Sequence, residues 1–144
     1  MSLIVKIKRL SNDVAIPKYE TEGAAGFDLA ATSEHLMLPG KKVLIGTGLA
    51  FQIPYGYELQ IRGRSGLTSK TGLRVALGTV DSDYRGEVKV FIENIGEYTH
   101  RISIGDRIAQ GIIAPIEQAE FLEVYELSST DRGSNGFGST GIGG

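Results

Sequence analysis

A chain of 144 residues is one domain by length, long enough to bury about two-thirds of the surface that its unfolded form exposes. It has no cysteine and two histidines, which excludes thiol nucleophiles, zinc-thiolate sites, iron–sulfur clusters and a histidine metal cluster, and fits a reducing compartment. Fifteen basic against seventeen acidic residues leave a net charge of −2, so nothing draws the chain to nucleic acid or to an anionic membrane, and any polyanion it holds must be small and bound locally.

The opening residues become charged at Lys6, too early for a signal peptide, and no apolar run approaches membrane-spanning length. A soluble cytoplasmic protein is expected, with neither nucleic acid nor membrane as partner. Val5 and Ile7 alternate with Lys6 and Lys8 as a half-buried strand. The stretch 23–29 gathers small residues and two glycines around Asp28 and reads as a turn feeding a strand. After Pro39-Gly40, two short strands are expected at 43–45 and 49–53, cut off by Pro54-Tyr55-Gly56. Tyr57, Leu59 and Ile61 alternate with polar neighbours, and the chain then leaves through Gly63-Arg64-Ser65-Gly66-Leu67. There Ser65 is a candidate cap for one short helical turn reaching about Lys70.

Leu73, Val75 and Leu77, then Val88, Val90 and Ile92, predict two strands flanking a hairpin tip at 78–86. That tip carries two carboxylates, a phenol and a guanidinium, more charge than a turn requires. Asn94-Ile95-Gly96 ends the second strand. Ile102 and Ile104 lead to a turn at Gly105-Asp106, strand resumes from Arg107 through Ile113, and a last strand is predicted over 121–127. Short strands at near-regular spacing, with almost no helical periodicity, argue for an all-β barrel or sandwich. Glycine fits that reading: 20 residues, about 14 per cent against a usual ~7, supply many tight turns.

Residues 128–144 break the pattern with six glycines and almost no apolar side chain. The expected division is a core over 1–127 and a flexible arm over 128–144. Within the arm, Arg132, Phe137, Ser139 and Thr140 sit among glycines whose amides can approach an anion, a composition suited to closing over a nucleotide with the ring stacked on its base. The arginines, hydroxyls and acids of five stretches, 23–29, 63–67, 78–86, 105–110 and 132–141, suit a nucleoside triphosphate, although no Walker-type loop or dinucleotide fingerprint is present.

In order and spacing these stretches resemble the five motifs of the trimeric deoxyuridine triphosphatase (dUTP diphosphatase) family. They read Ala24-Ala25-Gly26-Phe27-Asp28, Arg64-Ser65-Gly66-Leu67, Asp81-Ser82-Asp83-Tyr84-Arg85-Gly86, Gly105-Asp106-Arg107-Ile108-Ala109-Gln110 and the glycine-rich tail. The resemblance implies a distorted jelly roll of the β-clip type, three chains sharing each site, and hydrolysis of dUTP to dUMP and pyrophosphate, which lowers dUTP and supplies dUMP for thymidylate synthesis. It makes Asp81 the carboxylate that activates water against the α-phosphorus, and Tyr84 the ring beneath the deoxyribose that excludes a 2′-hydroxyl. Backbone from Val75 to Gly78 would meet the uracil edge; Arg64, Ser65, Gly66 and Gln110 would hold the phosphate chain; Arg132, Phe137, Gly138, Ser139 and Thr140 would close over base and γ-phosphate. Mg2+ would ride mainly on the phosphates, with Asp28 supporting it through water.

Three positions depart from the family pattern: Gly63 where proline is usual, Val75 where asparagine is common, and Asn135 for a common glycine, tolerable in left-handed backbone. The related dCTP deaminases need a glutamate base, and the strand before Gly78 holds no acid. A catalytically silent nucleotide sensor would have no need of Asp81, Tyr84 and the full arm.

Overall fold

Two-residue alternation produces the strands: Leu59 and Ile61 point inward while their polar neighbours face out, and Val88, Val90 and Ile92 do the same further along. The structure, a computed structural model, describes residues 2–143. One four-stranded sheet has the order β1 (Lys6–Arg9), β4 (Lys42–Gln52), β8 (Glu87–Asn94), β6 (Leu73–Val75). The second has β2 (Phe27–Ala30), β10 (Arg107–Pro115), β5 (Tyr57–Arg62), β7 (Gly78–Val80), and β3 (His35–Met37) pairs with β9 (His100–Ile102). Every pairing is antiparallel. The fold is therefore the expected all-β, barrel-like sandwich, with one six-residue helix, α1 (Ser65–Lys70).

The core lies between the two larger sheets. Phe27 of β2 stacks on Phe51 of β4 with ring centroids 6.0 Å apart, and Leu29, Ile45, Leu59, Val90, Ile92 and Ile108 are fully enclosed around them. Tyr19 and Phe27 pack edge to face with ring centroids 5.6 Å apart. The β3–β9 ribbon is tied to this body by buried Asn94, whose amide donates to the carbonyls of Met37 and Tyr98, both at 2.8 Å, and accepts from the Gly96 N–H at 3.0 Å. That is a fully satisfied polar group where an unpartnered one would cost about 1–3 kcal/mol.

Several expectations change. The strands expected at 43–45 and 49–53 are one strand, β4, whose register against β8 shifts between Gly46 and Ala50. Gly48, at φ 70°, carries that irregularity. Helix α1 starts with Arg64 in the N-cap position, extended and without a side-chain cap, so Ser65 is the first helical residue and not the cap. The flanks of the expected hairpin do pair, Val75 opposite Ile92, but the segment between them is more than a tip. The chain crosses at Ala76-Leu77 to the other sheet, where Gly78–Val80 forms β7 against β5, and Leu77 is left 83% exposed instead of inward. The turn proper is closed by the Tyr84 N–H donating to the Asp81 carbonyl at 3.1 Å.

Beyond Pro115 the described residues form no strand, so the one expected over 121–127 is absent. Phe121, Leu122, Tyr125 and Leu127 stand exposed. A strand needs a neighbour for its ladder hydrogen bonds, and no sheet edge of the same chain receives this one. The described arm residues make hydrogen bonds only to one another.

Candidate active site

Sheet register decides which motifs meet. Phe27, Gly111, Ile61 and Gly78 form one row across β2, β10, β5 and β7, and Asp28, Gln110 and Arg62 form the next. Residues distant in sequence thus come to adjacent strands, each step about 4.8 Å. Two glycines keep the rows close. A Cβ on Gly111 would lie 2.7 Å from the Phe27 ring, and one on Gly26 would lie 2.7 Å from Oε1 of Gln110. The Gln110 side chain uses that space, donating from Nε2 to the Gly63 carbonyl at 2.9 Å and so pinning the loop that carries Arg64.

Asp28 is the electrostatic centre of this end. Its carboxylate takes Nε of Arg64 at 3.0 Å on one oxygen and Nη1 of Arg107 at 3.4 Å on the other. Arg64 also donates to the Arg107 backbone carbonyl at 3.0 Å. One acid therefore orders two guanidiniums whose charges would otherwise repel, and the pair keeps a net positive charge facing outward. Ser65 and Gly66 are exposed as the first residues of α1, where backbone N–H groups have no partner within the helix.

Asp81 and Tyr84 line a different cleft of about 290 Å3, with Thr79, Glu87 and Lys89. Because β7 runs antiparallel to β5, with Gly78 opposite Ile61 and Val80 opposite Leu59, the chain reaches Asp81 while heading for the Tyr57 end of β5. Arg64 lies past the other end. Some six residue steps separate them, on the order of 20 Å at strand spacing. Asp28, Arg64 and Gln110 are brought together in one chain; Asp81 and Tyr84 are together elsewhere. Val75 turns its side chain into the core, leaving only backbone for any ligand, and β6 and β7 are both sheet edges. Arg132, Phe137, Gly138, Ser139 and Thr140 line a concavity within the arm itself. There Phe137, at φ 49° and fully exposed, is the left-handed non-glycine among the described residues, and Asn135 is not left-handed.

Sequence reasoning passes over Arg107 as the start of a strand, although it is the second cation on Asp28. Its neighbour Asp106 is structural, bonding the Ser103 N–H at 2.8 Å within the turn. Among the described residues no three acids or histidines cluster to hold a metal.

The family model described as dUTPase matches residues 12–141. The deoxyuridine 5'-triphosphate nucleotidohydrolase of Nautilia profundicola is 54% identical over 139 residues, covering 95% of this chain and 98% of its own. Staphylococcus bacteriophage 80alpha dUTPase, solved with dUpNHpp, matches with a TM-score of 0.91 at 31% identity, covering 98% of this chain and all of that one. A mutant dUTPase from phage phi11 of S. aureus, whose structure concerns the coordination of a structural Mg(II) ion, matches at 0.83 with 27% identity over 88% of this chain and all of that one. The chain belongs to the dUTPase family.

Proposed function

We propose that this protein hydrolyses dUTP to dUMP and pyrophosphate at sites shared between copies in a homotrimer. The observation that carries the reading is the cationic end of the second sheet, where Asp28 holds Arg64 and Arg107 side by side with Gln110 bracing the loop. Fixed cations on a rigid sheet suit a triphosphate, and the dUpNHpp in the phage 80alpha structure is an imido analogue of dUTP. Arg64, Ser65, Gly66 and Gln110 hold the phosphate chain. Asp81, exposed and about 20 Å from that grip within its own chain, works on the substrate held by a neighbouring copy.

There Asp81 orients a water and takes its proton as oxygen bonds to the α-phosphorus and the bond to pyrophosphate breaks. Uracil meets the outward-facing backbone groups between Val75 and Gly78 at the edges of β6 and β7, and Tyr84 lies under the sugar. Exposed Phe137 supplies a stacking platform when the arm of a third copy, with Arg132, Gly138, Ser139 and Thr140, closes over base and γ-phosphate. Exposed Phe121, Leu122, Tyr125 and Leu127 likewise need a neighbour to cover them, which supports the assembly.

The donor set fits Mg2+ brought by the substrate and not a cage of protein ligands. Asp28 keeps acceptor capacity beyond its two guanidinium contacts and can hold a magnesium-bound water. Bound there, the ion would neutralise charge on the phosphates. Among the described residues no helix is long and apolar enough to cross a membrane. Pyrophosphate release from dUTP, dTTP, dCTP and UTP tests the reading: turnover of dUTP alone is expected, and comparable turnover of dTTP or UTP, or ammonia released from dCTP, overturns it.

A further inference from the structure

Tyr84 is held in place without being buried. Its side chain is on an exposed turn, yet its hydroxyl donates to the Glu87 backbone carbonyl at 3.0 Å, so the ring folds back along the chain over Gly86. A Cβ added at Gly86 would meet the Tyr84 hydroxyl oxygen and would lie 2.6 Å from Cζ and 3.1 Å from Cε1. Real Cβ atoms do not approach that closely, so ring and side chain cannot share the space. Gly86 is not among the glycines with positive φ. Its backbone is therefore open to any residue, and the missing side chain is what the structure uses.

The carbonyl that receives the phenol is itself anchored. Glu87 opens β8, and its carboxylate accepts the Gly48 N–H at 2.9 Å across the irregularity in β4. A Cβ on Gly46 would meet that carboxylate, 3.0 Å from its Cδ, so the glutamate is seated against bare backbone. The support runs from β4 through Glu87 to the Tyr84 hydroxyl, with Gly86 providing the bed on which the ring lies.

We propose that Gly86 is a positioning residue for sugar selection: the space left by its missing side chain seats the Tyr84 ring, and the Glu87 carbonyl ties the ring's hydroxyl down. This rests on the reading of Tyr84 as the surface beneath the deoxyribose. A ring so fixed presents one plane to the sugar, and a 2′-hydroxyl meets an obstacle that cannot swing away.

The test is a double-mutant cycle on the assembled full-length protein, reading kcat/KM for dUTP and for UTP in Gly86→Ala, Tyr84→Ala and the combined variant. Tyr84→Ala is expected to lower the dUTP-to-UTP ratio. Gly86→Ala is expected to lower it at least tenfold, and adding Gly86→Ala to Tyr84→Ala to change it less than twofold. An unchanged ratio in Tyr84→Ala removes the sugar-platform reading and this proposal with it. A lowered ratio in Tyr84→Ala with an unchanged one in Gly86→Ala overturns the proposal alone, as does an equal further loss in the combined variant. Should Gly86→Ala fail to fold, Tyr84→Phe probes the same device by cutting the tie to Glu87. A severalfold lower ratio is then expected, and a wild-type ratio overturns the proposal.

Discussion

Asp81 and Gly111 show how differently single residues are committed. Asp81 is exposed, and its side chain makes no hydrogen bond or ion pair with another described residue. Asp81→Asn should therefore leave folding and nucleotide affinity intact while turnover falls about 10²–10⁴-fold, the usual worth of a positioned base; isothermal titration with a non-hydrolysable analogue, set beside steady-state rates, checks both halves. Gly111 is the opposite case, closed in by the Phe27 ring at 2.7 Å and Leu59 Cδ1 at 3.0 Å from any added Cβ. Gly111→Ala should cost about 1–3 kcal/mol by overpacking, read as a lower denaturant midpoint with unchanged slope. Legibility followed chemistry at this scale. Asp28 and Arg64 were visible as charged residues beside glycines but took their roles, like Gln110, from the family resemblance, whereas Gly111, Gly86 and Glu87 act through space and backbone, which a one-dimensional string does not display.

Among elements, alternation revealed most strands, because burial on one face demands it. It failed where the chain changes sheets. Leu73, Val75 and Leu77 have one period, but the crossover at Ala76-Leu77 sends the last of them outward. It failed again at β4, where a shifted register around Gly48 keeps Leu49, Ala50 and Phe51 all buried, and at 121–127, where apolar residues promise a strand but the chain offers no edge to receive it. The loop between β5 and α1 invites an element-scale test. A Cβ on Gly63 would sit 3.5 Å from Val75 and 3.8 Å from Thr68, ordinary contact distances, and Gly63 is not a positive-φ position. Gly63→Ala should raise stability by about 0.4–1 kcal/mol through a less flexible unfolded chain, a shift that thermal melting can resolve; a fall in melting temperature would contradict it.

For the whole molecule, the described residues of the arm make no hydrogen bond to the core, and Phe137 touches no core surface that could hide it. Deleting 128–144 should leave the melting temperature of the remaining assembly within a few degrees while dUTP turnover drops by at least tenfold; sedimentation and differential scanning calorimetry read the first, pyrophosphate release the second. Unfolding of the truncated chain would instead make the arm part of the architecture. The proposed assembly is the least legible level, because the separation of Asp81 from Arg64 follows from the direction of β7 against β5 and not from any residue type.

That sheet also sets a timetable. β10 lies between β2 and β5, yet among the described residues it is the last strand to be synthesised, so β2 and β5 have no shared partner until it is made. Pairings such as Asp28 with Gln110 close very long loops, and topologies of that kind fold in about milliseconds to seconds, not microseconds. A nascent chain ending before Arg107 lacks the strand that joins β2 to β5 and the second guanidinium on Asp28, so the cationic end of the sheet is complete only once β10 is made.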